Sequence, residues 1–253
     1  MKKLFSVVLI LSLVFSSTRL ATARVYSAST VTKMIYGQIN KRNKKFSYTV
    51  SKKSDISLTK IQNYYVSKDS YLMCLVSKLQ CIGYKTPRGW KYRFTLKYNE
   101  STKETQSVQK YAKKVVKRFR DFSTPYKLQA IHDFVVNSLE YDEKCINDAG
   151  YKAIKKKRAV CNGYTALFYQ LCTAARIPCY CVSGFAKNDG LIEHIWNVVK
   201  INNKYYYVDT TWDDCNDIQY AYFLKGSETF NKDHSVVLNI ALAKRVCSSD
   251  YEV

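Results

Sequence analysis

A run of apolar residues at helical spacing begins just after Cys161 and is the feature that most restricts how this chain can fold. Apolar side chains recur every three or four positions from Tyr164 to Ala175, which predicts a helix buried along one face. Such a helix needs a sheet or other helices to cover it. The chain therefore has to build a core around residues 161–175, with Cys161 at the start of the helix.

Two short strands are predicted downstream of this helix. Residues 192–200 and 204–209 are rich in β-branched and aromatic side chains. Asn202-Asn203 between them suits a two-residue hairpin turn, because asparagine tolerates a positive φ. His194 lies on the first strand and Asp209 ends the second. Since cross-strand neighbours come within side-chain reach, the hairpin is expected to bring these two side chains together.

Cys161, His194 and Asp209 suit nucleophilic catalysis when they are taken together. The unpaired N–H groups and the positive dipole end at a helix start favour a thiolate over a thiol. A histidine can accept the thiol proton, and an aspartate can orient the imidazole ring. Each residue alone is more often structural, but the order and spacing of all three favour a catalytic site.

From about Tyr126 to His234 the chain resembles the transglutaminase-like superfamily, and in particular the secreted members found in Gram-positive bacteria. The resemblance implies a papain/transglutaminase-like core, in which the helix carrying the nucleophile packs on an antiparallel sheet. The fold class is therefore predicted as α+β. The matching segments are Ile131-His132-Asp133-Phe134 through Tyr141-Asp142, Val160-Cys161-Asn162-Gly163-Tyr164, His194 with Trp196-Asn197, Tyr206 to Asp209, Thr211-Trp212-Asp213, and Tyr222-Phe223-Leu224 with Asp233-His234.

The resemblance implies a thiol enzyme acting on protein or peptide substrates. Cys161 would attack a glutamine carboxamide or a peptide bond to form a thioester, with His194 as base and Asp209 as the orienting residue. The enzyme would be a hydrolase (peptidase or amidase) or a transamidase. The second hypothesis is a non-catalytic cell-surface binding protein that retains the fold. The candidate substrate-pocket residues, which flank the reacting groups, are Gly163, Tyr164, Trp196 and Trp212.

The N-terminus has the composition of a secretory signal peptide. Lys2-Lys3, an apolar-rich run from Leu4 to Phe15, and Ala21-Thr22-Ala23 predict cleavage before Arg24. The apolar run is too short for a permanent transmembrane anchor, and no second run of spanning length follows it. The mature chain is therefore expected to be secreted or extracellular, with cell-wall association as a further expectation and without a transmembrane span.

Three segments are predicted along the chain. Residues 1–23 form the signal peptide, residues 24–104 a small α+β domain, and residues 105–253 the transglutaminase-like catalytic domain. The apolar patterns predict strands over 46–50, 71–76 and 90–98, helices near 31–40, 55–66 and 108–119, and a further helix that opens with Thr124 as its cap and Pro125 at its first position.

Nine cysteines in an exported chain require an explanation, because export exposes thiols to oxidation. Cys74 with Cys81, and Cys172 with Cys179 or Cys181, are candidate short-range pairs, although spacing alone cannot choose the pattern. Cys179 and Cys181 share one strand face, which suits contact with other elements more than with each other. No paired cysteine and histidine spacing supports zinc, so no metal and no cofactor are expected.

The formal net charge of +21 predicts attraction to polyanions. The basic residues concentrate over 110–120 and 155–158. One interpretation is a solvated surface without a partner. The other is retention at an anionic cell-wall polymer, or recruitment of acidic substrates. Nucleic acid is not an expected partner, because no recognised nucleic-acid-binding module accompanies the charge.

Overall fold

A computed structural model describes residues 24–53, 56–187, 190–214 and 220–252. The predicted signal peptide over residues 1–23 lies outside the described residues. Within the described ranges, no helix is both long enough and apolar enough to cross a membrane.

The first part of the chain forms a four-stranded sheet covered by helices. The sheet order is β1-β2-β4-β3, and both neighbours of β4 run antiparallel to it. Ser27 and Ser57 cap the first two helices by accepting a backbone N–H at the helix start. The elements are β1 (Val25–Tyr26), α1 (Ala28–Asn40), β2 (Lys45–Val50), α2 (Leu58–Lys68), α3 (Leu72–Leu75), β3 (Val76–Thr86) and β4 (Gly89–Tyr98).

The second part places helices against a five-stranded sheet of order β10-β9-β8-β7-β11, in which every neighbouring pair is antiparallel. The helix that begins at Cys161 packs on this sheet, so the predicted α+β fold class is confirmed. The elements are α4 (Thr102–Val116), a 3₁₀ turn (Lys117–Phe119), α5 (Thr124–Ser138), β5 (Glu140–Tyr141), α6 (Gly150–Lys156), β6 (Arg158–Ala159), α7 (Cys161–Ala174), β7 (Cys179–Lys187), β8 (Leu191–Ile201), β9 (Lys204–Val208), β10 (Phe223–Lys225), α8 (Ser227–Phe230), β11 (His234–Leu238) and α9 (Ile240–Ala243).

The predicted hairpin is confirmed. Strands β8 and β9 pair up to Ile201 and Lys204, and the two turn residues between them, Asn202 and Asn203, have φ values of 48° and 66°. Both values lie in the left-handed region that asparagine tolerates better than most residues. The turn chemistry therefore sets the register that brings the end of β9 level with the middle of β8.

The predicted strand over residues 71–76 is wrong. Residues 72–75 form the short helix α3, and a strand begins only at Val76. Leu72, Cys74 and Leu75 are each 1% exposed, because α3 packs against both α7 and β7. A short apolar run that is buried all round has no periodicity that separates helix from strand, and tertiary packing decides its conformation.

Two helix starts differ from the sequence-based expectation. Helix α4 begins at Thr102, where Ser101 and Glu104 form a capping box, so the predicted domain boundary at residue 104 falls inside this helix. The N-cap position of helix α5 is Ser123, whose side chain makes no capping hydrogen bond, and the predicted cap Thr124 is already the first helical residue. Helix ends are set by local hydrogen bonds, which apolar periodicity does not report.

Helix α7 belongs to both cores of the molecule. Leu167, Phe168 and Leu171 lie in the core of the second part. Ala166 on the same helix packs into the core of the first part, together with Cys181 of β7 and Ile195 of β8. The first sheet and its helices therefore rest directly against the elements that carry the candidate site.

Candidate functional site

The segment around Cys161 is held from both sides by hydrogen bonds. Val160, the N-cap residue of α7, is extended with φ −93° and ψ 176°. The side-chain amide of Asn162 donates to the backbone carbonyls of Cys74, at 2.9 Å, and of Asp148, at 2.5 Å. Cys161 thus begins the helix as predicted, and α3 of the first part helps to fix its position.

The structure brings Cys161, His194 and Asp209 together. His194 lies on β8, and Asp209 directly follows β9 on the neighbouring strand. His194 Nε2 is 2.5 Å from Asp209 Oδ2, and both side chains are buried. His194 also forms a hydrogen bond with the Cys161 side chain. Because Nε2 is engaged by Asp209, Nδ1 is the nitrogen left to face the thiol.

The charges in this cluster favour an imidazolium–carboxylate pair. Burial opposes the charged form of His194, but the Asp209 carboxylate and the hydrogen bonds to Asp209 and Cys161 outweigh it and raise the pKa of His194 to about 10. Burial also opposes the Asp209 charge, yet His194 and His234 lower the pKa of that carboxyl well below its usual range. Opposite charges held this close stabilise each other's ionised form.

Asp209 also fixes the turn that follows β9. Its Oδ1 accepts the backbone N–H of Thr211 at 2.9 Å and that of Trp212 at 3.3 Å. Oδ2 remains for His194. One oxygen of Asp209 therefore fixes the turn, and the other contacts the histidine. The arrangement explains why the chain needs an aspartate at this strand end rather than another hydrogen-bonding residue.

A second buried histidine–aspartate pair stands apart from Cys161. His132 Nε2 of α5 lies 2.9 Å from Asp213 Oδ2, and Asp213 Oδ1 accepts the backbone N–H of Tyr222. This pair ties the segment after β9 to α5 and to the start of β10. These contacts give His132 a structural role.

His234 also belongs to the site, although the sequence indicated no role for it. It starts β11, and its Nε2 lies 3.3 Å from Asp209 Oδ2, while its Nδ1 is 2.5 Å from Asp233 Oδ1. Its ring is enclosed by the rings of Phe230 and Trp212, with centroids 4.1 and 4.5 Å away. The Asp233-His234 pair was visible in the sequence, but no local pattern connects it to Asp209.

Replacing His234 with alanine is expected to destabilise the fold by about 2–4 kcal/mol, because it opens a cavity among aromatic rings and removes a contact to a buried carboxylate. A His234→Gln chain should recover part of that loss, since an amide can still hydrogen-bond. Urea unfolding of the three chains measures the difference. Equal stability of His234→Ala and the unaltered chain would contradict the assigned contact.

The two histidines around Asp209, together with Asp209 itself, form a group of side chains that could bind a metal ion. His194, Asp209 and His234 each offer one ligand atom, and these atoms lie within 4.8 Å of one another. Two imidazoles and a carboxylate are a donor set that zinc accepts. Both Nε2 atoms already contact one Asp209 oxygen, at 2.5 and 3.3 Å, so an ion would have to displace these contacts.

An open cleft of about 440 Å³ leads to Cys161 and His194. It is formed by α2 of the first part and by α7, β7, β8 and β11 of the second. Both parts of the chain therefore supply its walls. The lining residues are Gln62, Cys161, Asn162, Ser183, Gly184, Phe185, Glu193, His194, Ile195, Val237 and Leu238.

None of the four predicted pocket residues lines this cleft. A Cβ on Gly163 would come within 2.7 Å of Ala159 Cβ, so packing of α7 against its own upstream segment accounts for the glycine. Tyr164 is fully buried, and its hydroxyl donates to Asp214. Residues two and three positions after Cys161 face the core, because a helix turns them away from the cleft.

The two tryptophans lie around the histidines rather than in the cleft wall. Trp196 is fully buried, and its ring stacks on that of His194 with centroids 5.8 Å apart. Trp212 is partly buried and contacts the rings of both His194 and His234. Between them they exclude water from the histidine–aspartate cluster, which strengthens its electrostatic interactions.

The His194 contribution to stability is expected to disappear at alkaline pH. Its pKa is raised from the ordinary 6.5 to about 10, so the stabilisation is fully present below pH 6.5 and is lost as the pH rises through about 10. The loss should be on the order of a few kcal/mol. Urea unfolding across this range measures it, with a His194→Gln chain as reference for lysine and tyrosine titration. Parallel pH profiles for the two chains would contradict it.

Comparison with known proteins places the site in a family context. The mouse (Mus musculus) Kyphoscoliosis peptidase is 26% identical over 133 residues, 43% of this chain and 20% of that protein. The human (Homo sapiens) Kyphoscoliosis peptidase is 27% identical over 101 residues, 34% of this chain and 15% of that protein. This chain thus spans a fifth or less of the length of these relatives. A solved structure of a TGase has a TM-score of 0.38 and 12% identity, over 73% of this chain and 55% of that one.

A family model for the transglutaminase-like superfamily matches residues 94–210. The match runs from β4 to the residue after Asp209 and so includes all three of the clustered side chains, but not His234. The chain therefore contains a transglutaminase-like superfamily domain over these residues.

Proposed function

We propose that the chain is a thiol enzyme that attacks amide bonds of protein or peptide substrates through Cys161. The observation that carries the proposal is the hydrogen-bonded series from Cys161 to His194 to Asp209 at the wall of an open cleft. A nucleophile, its base and the base's orienting carboxylate are the groups that covalent catalysis by a thiol requires. The cleft gives an extended peptide access to the sulfur.

In the proposed reaction His194 takes the thiol proton, and the thiolate attacks a glutamine carboxamide or peptide carbonyl. The imidazolium then protonates the leaving amine, which leaves a thioester on Cys161. The developing oxyanion requires hydrogen-bond donors, and the N–H of Cys161 at the start of α7 is the first candidate. Asn162 donates to two carbonyls of the chain, so Gln62, which also lines the cleft, is the better side-chain amide candidate.

A product assay tests this function and separates its forms. The full chain is incubated with glutamine-containing peptides, with and without a primary amine. Ammonia release without amine incorporation would indicate deamidation, amine incorporation would indicate transamidation, and chain cleavage would indicate a peptidase. A panel of peptides that gives none of these products, and no more thioester than a Cys161→Ala chain, would reject the proposal.

We also propose that the chain is exported and acts outside the cell. The support is the N-terminal sequence, with Lys2-Lys3, the apolar run from Leu4 to Phe15, and Ala21-Thr22-Ala23. N-terminal sequencing of the protein recovered from culture medium and cell wall tests this, with Arg24 expected as the first residue. A chain that keeps Met1 and stays inside the cell would reject it.

An anionic cell-wall polymer is the proposed surface partner. A depression of about 690 Å³ between α4, α5 and the end of α7 is lined by five cationic residues and no acidic one among the described lining residues. The basic segments over residues 110–120 and 155–158 also lie next to each other, since Lys157 Nζ is 5.7 Å from the centroid of the Tyr111 ring. The five cationic residues are Lys113, Lys117, Arg120, Lys127 and Arg176.

Binding to purified anionic wall polymer is expected to weaken steeply as salt is added, because screening and counterion release oppose the contact. Lys113→Glu with Lys117→Glu should reduce the affinity by roughly tenfold or more at low salt, on the order of 1 kcal/mol for each charge. Lys45→Glu with Lys78→Glu, on the first sheet, changes the net charge equally and serves as the control. If both double variants lost the same affinity for the polymer, net charge alone would explain the binding. The depression between α4, α5 and α7 would then not be the binding surface.

A further inference from the structure

Two buried cysteines meet at the junction of the two parts of the chain. Cys74 Sγ on α3 lies 3.8 Å from Cys181 Sγ on β7, although 107 positions separate them in the sequence. Their exposures are 1% and 0%. The predicted pairing of Cys74 with Cys81 is not found, because β3 extends away from α3 and places Cys81 opposite Phe94.

The second predicted group of cysteines divides between two contacts. Cys179 forms a hydrogen bond with Cys172, whereas Cys181 contacts Cys74. The expectation that Cys179 and Cys181 contact other elements rather than each other is therefore confirmed. Of these two cysteine contacts, the one between Cys74 and Cys181 joins the first part of the chain to the five-stranded sheet.

We infer that Cys74 and Cys181 form a structural disulfide when the chain folds in an oxidising environment. Sulfur atoms already in contact need only small side-chain rotations to reach bonding distance. The backbone on both sides is anchored, since Cys181 N–H donates to Ser70 Oγ at 2.9 Å and the Cys74 carbonyl accepts from Asn162 at 2.9 Å. The inference does not depend on the proposed function.

The reaction is thiol–disulfide exchange with a small or protein disulfide as oxidant. One cysteine thiolate attacks the oxidant disulfide and releases one thiol, and the other cysteine then attacks the mixed disulfide and releases the second. One S–S bond breaks, one forms, both protein sulfurs are oxidised, and two protons remain on the two released thiols. Burial raises the pKa of both cysteines, so exchange is slow once the chain has folded, and the bond forms during folding.

The disulfide would also support the site. It would hold α3 against β7, and α3 carries the carbonyl that accepts the Asn162 amide next to Cys161. Cys161 packs at the edge of the core that contains Cys74, so a bond between these two sulfurs is one misplaced product that would block the nucleophile. A disulfide between Cys74 and Cys181 thus removes a thiol that could otherwise pair with Cys161.

The test is peptide mapping of the full chain after refolding in a buffer of reduced and oxidised glutathione. Free thiols are alkylated under denaturing conditions, and the protein is digested without reduction. The expected result is a linked peptide pair containing Cys74 and Cys181, with Cys161 alkylated. Alkylation of both Cys74 and Cys181, or a link from Cys74 to Cys161, would overturn the inference.

Thermal unfolding provides a second measurement. The melting temperature of the oxidised chain should exceed that of the reduced chain by roughly 10 °C, because the bond closes a loop of 107 positions. This redox difference should nearly vanish in Cys74→Ala and persist in Cys81→Ala, which alters a partly exposed cysteine of the same sheet unit. If Cys74→Ala does not fold, peptide mapping of the unaltered chain still decides the question.

Discussion

A Cys161→Ala chain is expected to lose turnover by a factor on the order of 10⁴ or more, because none of the other described residues that line the cleft is a cysteine that could form the thioester. The fold should be preserved, since Cys161 is only partly buried and alanine suits a helix start next to Val160. The measurements are turnover of the peptide substrates and trapping of the acyl-enzyme by acid quench and mass spectrometry.

The matched control for this change is Cys145→Ala. Cys145 is exposed and does not line the cleft, so its removal should leave turnover unchanged while it lowers the background of non-specific thiol labelling. If Cys161→Ala kept its turnover, or if Cys145→Ala lost it, Cys161 would not be the nucleophile.

An Asp209→Asn chain is expected to lose turnover by roughly 10⁴-fold, because the amide cannot hold His194 in the tautomer that accepts the thiol proton. It should also lose about 3–5 kcal/mol of stability, since it removes the charge that faces two buried histidines. The thiol-labelling rate of Cys161 should fall in parallel, because His194 then ionises less readily. Turnover, labelling rate and urea unfolding measure these three effects.

Asp213→Asn provides a closely matched control. Asp213 is as buried as Asp209 and also contacts a buried histidine, at 2.9 Å, but that histidine is His132 and lies away from the cleft. The change should cost stability without reducing turnover per folded molecule. If both variants lost turnover equally, the effect of Asp209 would be structural, and its assignment as the orienting residue would fail.

Much of the local structure could be predicted from the sequence. The apolar spacing after Cys161 predicted α7, and the paired asparagines predicted the turn between β8 and β9. Both depend on interactions within a few positions of the chain, namely side-chain periodicity and tolerance of a positive φ. The adjacency of His194 and Asp209 follows from that hairpin.

Other features could not be predicted because they depend on distant contacts. Residues 72–75 are helical because α7 and β7 enclose them, and the apolar run itself carries no periodicity. Gly163 was expected at the cleft, but only the position of Ala159 shows that packing requires it. His234 reaches Asp209 from a strand that follows β10 and α8, and strand order is a property of the whole sheet.

The sequence by itself determined the chemical groups and the local elements that carry them: a thiol at a helix start, and an imidazole and a carboxylate on one hairpin. Tertiary structure alone decided which groups surround that site. It places Gln62 and Phe185 in the walls of the cleft and His234 beside Asp209. It also brings the sulfur of Cys181 against that of Cys74. The physical reason is range. Turn and helix preferences act over a few residues, whereas sheet order and core packing join positions more than a hundred residues apart.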